Sequence, residues 1–276
     1  MDQLSYSLPT CLTSFLVQGA KKAEQWIVAF MFNPVDFSIY VIGSLNIPVL
    51  FLFRNTISQV ITPEMSKAES KGNHQRVLDL VRKANVISAF CVFPVSLFMF
   101  VFAREVVVVM FTEAYQRAAP VLMIYVFNQI KRSVELSNLL MVYRQQGFLF
   151  RVSVATLAVS VVLSVAGGYT LGLPGVTLGA TIAIYLQAMV LHRKTSQVFG
   201  VSIREVQDWK GLFCFTASAL SAAYLSYFVL GYAVEIASVF GLCLGLALTL
   251  GLYLALATCC GYGWIVPVLL GKRSWK

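Results

Sequence analysis

Long apolar stretches alternate with short polar ones from one end of the chain to the other. Eight of them, near 8–30, 37–62, 84–103, 119–143, 148–171, 174–196, 211–232 and 236–258, have the roughly 20-residue length of a helix that crosses a hydrocarbon core. The pattern predicts an all-α, polytopic membrane helical bundle of about eight transmembrane helices. Pro48 and Pro94 fall within these stretches, where a neighbouring helix can satisfy the carbonyl that a proline frees.

Polar positions inside the stretches are ordered. Gln18, Lys21, Lys22 and Gln25 follow the i, i+3, i+4, i+7 spacing of one helix face, as do Asn128, Lys131, Arg132 and Glu135. Arg54 and Ser58 lie one turn apart on another span. A charge at the bilayer centre costs at least about 2.5 kcal/mol, so such stripes are expected to turn away from lipid. The simplest arrangement points three of them at one hydrated, cation-rich cavity. Only Glu24 and Glu135 stand among these cations as counter-charges. An anionic ligand would offset the surplus. The competing reading pairs Lys21 with Glu24, and Lys131 or Arg132 with Glu135, as structural contacts within the bundle.

Composition agrees on the solvent. The chain is 58% hydrophobic and 12% charged, against roughly 25% charged in soluble domains, and its mean hydropathy is +0.77. The net charge of +9 is mostly a topology signal. Loops 63–83, 144–151 and 193–210 and the tail after 258 hold fourteen Lys and Arg, and the intervening loops hold two. By the positive-inside rule both termini are cytoplasmic, and nucleic acid is not an expected partner. Met1–Pro9 lacks a basic n-region and no A-x-A site follows, so the first span is expected to serve as an uncleaved insertion signal. In segment 64–83, Val77, Leu78 and Val81 give a short amphipathic helix after Gly72–Asn73, expected along the cytoplasmic interface.

Catalytic signatures are absent. No phosphate-binding G-x-x-x-x-G-K-[ST] loop, G-x-S-x-G or H-E-x-x-H occurs. His74 and His192 are far apart, and the six cysteines form no C-x-x-C pair, so neither a metal nor another cofactor is expected. Cys11, Cys91, Cys214 and Cys243 read as small core residues, and Cys259 and Cys260 as helix-end packing. Gly175/Gly179 and Gly241/Gly245 have the spacing that lets helices pack closely. The chain reads as a transporter and not an enzyme.

The stretches FNPVDFSIYVIGSLNIP (32–48), VITPEMSKAESKG (60–72), VVVVMFTEAYQRAAPVL (106–122) and LGLPGVTLGATIA (171–183) resemble the carboxy-terminal part of Wzx-type polysaccharide-lipid flippases. These belong to the multidrug/oligosaccharidyl-lipid/polysaccharide exporter superfamily. Coverage runs over roughly residues 10–200, and Thr112 stands where the family often has glycine. The resemblance implies the second lobe, spans seven to fourteen, of a two-lobed transporter. Residues 1–200 would be a six-helix lobe containing the 64–83 amphipathic segment, and 201–276 two additional helices with a cytoplasmic tail.

It further implies movement of an undecaprenyl-pyrophosphate-linked oligosaccharide across a bacterial inner membrane for cell-surface polysaccharide such as O-antigen. Membrane lipids, polymerase and glycosyltransferase machinery, and an amino-terminal half or second copy would be partners. The pyrophosphate would be the anion; polarity and spacing, not the resemblance, make Gln18, Lys21, Lys22, Glu24, Gln25, Arg54, Asn128, Lys131, Arg132 and Glu135 the cavity candidates, with the five cations to meet it. The length is expected to reflect a truncated or split form. Two alternatives remain open: a cation-coupled small-molecule exporter of the same superfamily, and a non-transporting scaffold of a glycan-export complex.

Overall fold

The computed structural model describes residues 19, 22–45, 47–233 and 237–269, apart from the side chains of 49, 232 and 233. Gln18 and Lys21 therefore lie outside the described residues. Every regular element described is helical. Helix α1 covers 22–31; α2 (Pro34–Gly43), α3 (Pro48–Ser70), α4 (His74–Val101) and α5 (Ala103–Phe111) follow, then a 3₁₀ turn over Glu113–Ala118. After it come α6 (Ala119–Ser133), α7 (Ser137–Val142), α8 (Gln146–Leu171), α9 (Leu173–Phe199), the single turn α10 (Ile203–Val206), α11 (Trp209–Ala233), α12 (Val239–Ala257) and α13 (Ile265–Leu269).

Among the described residues five helices are long and apolar enough to cross a membrane, α4, α8, α9, α11 and α12. They correspond to five of the eight spans expected. The other expectations are modified. The first, 8–30, falls largely outside the described residues. The stretch 37–62 is broken: α2 stops at Gly43, and Pro48 opens α3, where its missing N–H and fixed φ cost nothing. The stretch 119–143 is broken at 134–136, because Val134 turns extended (φ −104°, ψ 93°). Segment 64–83 does not form a helix of its own. Its first part ends α3, Gly72 turns the chain at φ +69°, and Asn73 caps α4 by accepting from the Arg76 N–H at 3.0 Å. Val77, Leu78 and Val81 then sit in the buried core.

Helix α4 is the axis of the bundle. Two-thirds (67%) of its apolar window is buried, against 22% for α8 and α12, and α3, α6, α11 and α12 pack around it. Its Val77–Leu97 half belongs to one apolar core, where the rings of Phe90, Phe215 and Tyr253 meet at 5.3–6.5 Å. Phe98 and Phe102 stack at 4.5 Å in a second core with Val28, Tyr40, Val121 and Leu230. Pro94 lies inside α4 and leaves the Phe90 carbonyl without its helical partner. The Tyr253 hydroxyl of α12 donates to that carbonyl at 3.0 Å.

Helices α8 and α9 form a hairpin turned by Gly172 at φ +69°. A side chain at Gly175 would strike the backbone of Gly167, and one at Gly179 the backbone of Leu163. The small residues therefore permit backbone approach, as their spacing suggested, and Ser164 Oγ donates to the Val176 carbonyl across the seam at 3.0 Å.

The loops collect at two ends. At one, His74 Nδ1 lies 2.7 Å from the Tyr143 hydroxyl and the Phe199 ring packs on both. Arg82 donates to the Glu205 carbonyl, and the Tyr262 hydroxyl to Asp208 Oδ2 at 2.9 Å, at the same end. At the other end Arg117 pairs with Asp36 at 3.3 Å and Tyr227 donates to Glu105 at 3.3 Å. Segments 67–83, 144–151 and 193–210, which carry eleven Lys and Arg, all border the first end; Arg104 and Arg117 border the second.

Candidate functional site

The break after α6 builds the most polar region of the interior. With Val134 extended, the Glu135 N–H leaves the helical ladder and donates to Asn85 Oδ1 of α4 at 3.2 Å. Asn85 is 4% exposed, and its amide in turn donates at 2.9 Å to Gln207 Oε1, itself buried, in the link between α10 and α11. The Glu135 side chain accepts from the Ser137 N–H at 2.9 Å and so caps α7. A buried polar residue on an apolar helix costs free energy unless its groups are bonded. Here those bonds hold the break open.

Glu135 Oε2 lies 3.9 Å from Arg54 Nη1 of α3, with both side chains largely buried at 24% and 21% exposure. That distance is outside hydrogen-bond reach. The pair is a charge contact and not a bidentate fork. Arg54 also rests over the Phe51 ring, 5.7 Å from its centroid, and feels the Arg132 charge. The cleft between α3, α4 and α7 is lined by Arg54 and Glu135 with Ser58, Thr62, Asn85, Ser88, Ser133 and Asn138 among its polar groups. Its volume is about 30 Å³, enough for a water or two and too small for a sugar or pyrophosphate in this conformation.

Lys131 takes a different direction. Successive helical residues are about 100° apart, so Lys131 and Arg132 sit at opposite edges of their stripe and can meet different neighbours. Lys131 lines a separate groove of about 510 Å³ between α4, α6, α9 and α11, walled by Phe93, Tyr185, Met189, Trp209 and Leu212 and bordered by His192 and Arg193. Its charge still acts on Glu135, one turn along.

Of the expected set, the cleft holds Arg54 and Glu135, while Arg132, half-buried near the end of α6, acts on Arg54 through its charge. Lys22 is exposed on α1, donating to Gln25 Oε1 at 3.4 Å. Glu24 is buried and accepts from the Tyr40 hydroxyl of α2 at 2.8 Å. Asn128 is buried one turn before the charges of α6. Val28 of α1 packs in the second core, and no described residue of α1 lines the cleft. Asn85, Ser88 and Gln207 went unnoticed in the sequence. A lone Asn within an apolar span was the available signal for the first. Nothing local marked Gln207, which reaches the site through the fold. Among the described residues no group of three or more His, Cys, Asp or Glu is placed to hold a metal ion.

No curated protein shows a significant match to the chain. Residues 1–120 match a family model described as "Polysaccharide biosynthesis protein". That region runs through α5 to the start of α6 and includes Arg54 but not Arg132 or Glu135. Over that part, a helical membrane protein with a charged internal cleft is similar to polysaccharide biosynthesis proteins.

Proposed function

We propose that this chain is a transporter lobe that moves a lipid-linked oligosaccharide across the membrane, with its phosphate-bearing end engaged by Arg54 and Arg132. The observation that carries the reading is the largely buried Arg54–Glu135 charge pair at a helix break inside an apolar bundle, with the Arg132 charge acting on Arg54. The match to polysaccharide biosynthesis proteins supports the glycan half of it. Guanidinium groups suit a pyrophosphate because each presents paired N–H donors to phosphate oxygens. Glu135 acts as the resident anion. It tempers the two cations while the cleft is closed and yields them when a dianionic ligand enters.

Admitting that ligand requires α3 to separate from α4 and α7. Non-helical residues flank α3 on both sides, at 44, 45 and 47 and at 71–73, so it can move as a unit. The remaining spans of an eight-helix lobe would be supplied by α1, by α2 with α3, and by α6 with α7. On this reading the chain has no catalytic residue and requires a second lobe or copy to close a transport path.

Export of lipid-linked glycan in cells, compared with the amount of protein in the membrane, tests the assignment. Replacing Arg54 and Arg132 together by glutamine should reduce export at least about tenfold, the effect of losing roughly 1.5 kcal/mol or more per charged hydrogen bond, at unchanged abundance. Normal export by that double variant would remove the cleft from the mechanism. A second reading, cation-coupled export of small molecules, draws on the buried Glu24–Tyr40 pair. It predicts that Glu24→Gln abolishes transport while Arg54→Gln leaves it intact.

A further inference from the structure

We infer that the groove between α4, α6, α9 and α11 is a binding site for an anionic phospholipid, with the headgroup phosphate at Lys131 and Arg193, a headgroup hydroxyl at His192 and an acyl chain along the apolar wall. This site lies on a different side of α6 from the Arg54 cleft, and the inference does not depend on what the chain transports. Three observations meet there.

The first is shape and chemistry. The groove holds about 510 Å³ and its wall of Phe93, Tyr185, Met189 and Leu212 is apolar, matching a hydrocarbon chain. Its polar members are all basic or neutral: Lys131, His192 and Arg193 border it, and no carboxylate does.

The second is an unsatisfied group. His192 is 8% exposed, and its Nδ1 lies 2.8 Å from the Ala188 carbonyl of its own helix, to which it donates. Its Nε2 is buried without a hydrogen-bond partner, within the field of the Lys131 charge. A buried ring nitrogen left without a partner costs free energy; with Nδ1 donating, Nε2 is an acceptor, and a headgroup hydroxyl arriving in the groove would satisfy it.

The third is depth. Trp209 is 45% exposed, packs on the His192 ring at 5.4 Å and donates its Nε1–H to the Ile203 carbonyl at 3.3 Å. A Trp with an apolar body and a bonded polar edge belongs at a membrane–water interface. It stands at the loop end of the bundle that carries the eleven basic residues. That places His192 and Arg193 at headgroup level and the Phe93–Tyr185 wall deeper, among acyl chains. Basic pockets between helices at that level are suited to phosphate headgroups.

The test uses the full chain in nanodiscs of equal parts phosphatidylglycerol and phosphatidylcholine. A phosphatidylglycerol with a photoactivatable acyl chain should label the groove wall, at Tyr185, Met189 and Leu212. The same probe built on phosphatidylcholine should label lipid-facing positions on α8 and α12 alike, without that preference. Native mass spectrometry should find phosphatidylglycerol retained on the protein. The Lys131→Gln/Arg193→Gln variant should lose retention by roughly fivefold per cation removed, whereas Lys22→Gln, on an exposed cation elsewhere, should not. Equal labelling by the two probes, unchanged retention in the double variant, or crosslinking of a second polypeptide to the groove would each overturn the assignment. The probe experiment on the unaltered protein decides the matter even where a variant fails to accumulate.

Discussion

Single residues carry the two sharpest departures from ordinary local rules. Thr112 ends α5 at φ 102°, ψ 163°, a region of backbone space open essentially to glycine alone. This is the position at which the resembling family often has glycine, and the backbone supplies the reason. Both hydrogen bonds of this turn, Thr112 N–H to Val108 at 2.9 Å and Tyr115 N–H to Thr112 at 3.2 Å, involve main-chain atoms only. Thr112→Gly keeps them while removing a strained β-branched side chain. The variant should gain about 1 kcal/mol, seen as a higher Tm in detergent; an unchanged or lower Tm contradicts the strain. Glu135 is the second case. Its i+3/i+4 distance from Arg132 and Lys131 suggested one helical stripe, but the helix ends at Ser133, and the break carries the carboxylate across to Arg54.

At the scale of elements, α4 and α12 are joined by a repair. Pro94 removes a rung from α4, and Tyr253 restores its lost partner from the neighbouring helix. In the absence of water a freed carbonyl must be satisfied by protein. Tyr253→Phe should therefore cost about 1–2 kcal/mol. In a Pro94→Ala background the Phe90 carbonyl regains its helical N–H, and the same Tyr253→Phe change should cost less than half as much. A double-mutant cycle by unfolding in detergent reads this coupling. Additive effects of the two substitutions would show that the tyrosine does not serve the proline.

For the whole molecule, the arrangement of loops at two ends gives the charge asymmetry a place. Segments 67–83, 144–151 and 193–210 converge where His74, Tyr143 and Phe199 pack together. By the positive-inside rule that end is expected to face the cytoplasm. A single cysteine at Gly72, in protein freed of its native cysteines, should resist an impermeant thiol reagent in intact cells and react after permeabilisation. One at Gln116, beside the Arg117–Asp36 pair at the other end, should do the opposite. Labelling of Gly72 from outside would invert the molecule.

The sequence by itself determined the solvent, the helical class and five of the long apolar helices, because a bilayer requires long apolar runs with internally bonded backbones. It also determined that Gly175 and Gly179 mark a close helix seam, since small residues there leave no room for any other use. Which polar residues meet was decided only by the tertiary structure. Periodicity assumes an unbroken helix, and α6 is broken at Val134; it also ranks Lys131 and Glu135 together, whereas Lys131 lines the groove and Glu135, past the break, lines the cleft. The bond that stabilises the break comes from Asn85, fifty residues away on α4, and the one that fixes Asn85 comes from Gln207. Helical spacing describes neighbours along one axis. Contacts between axes depend on how the helices pack, and only the folded bundle supplies that.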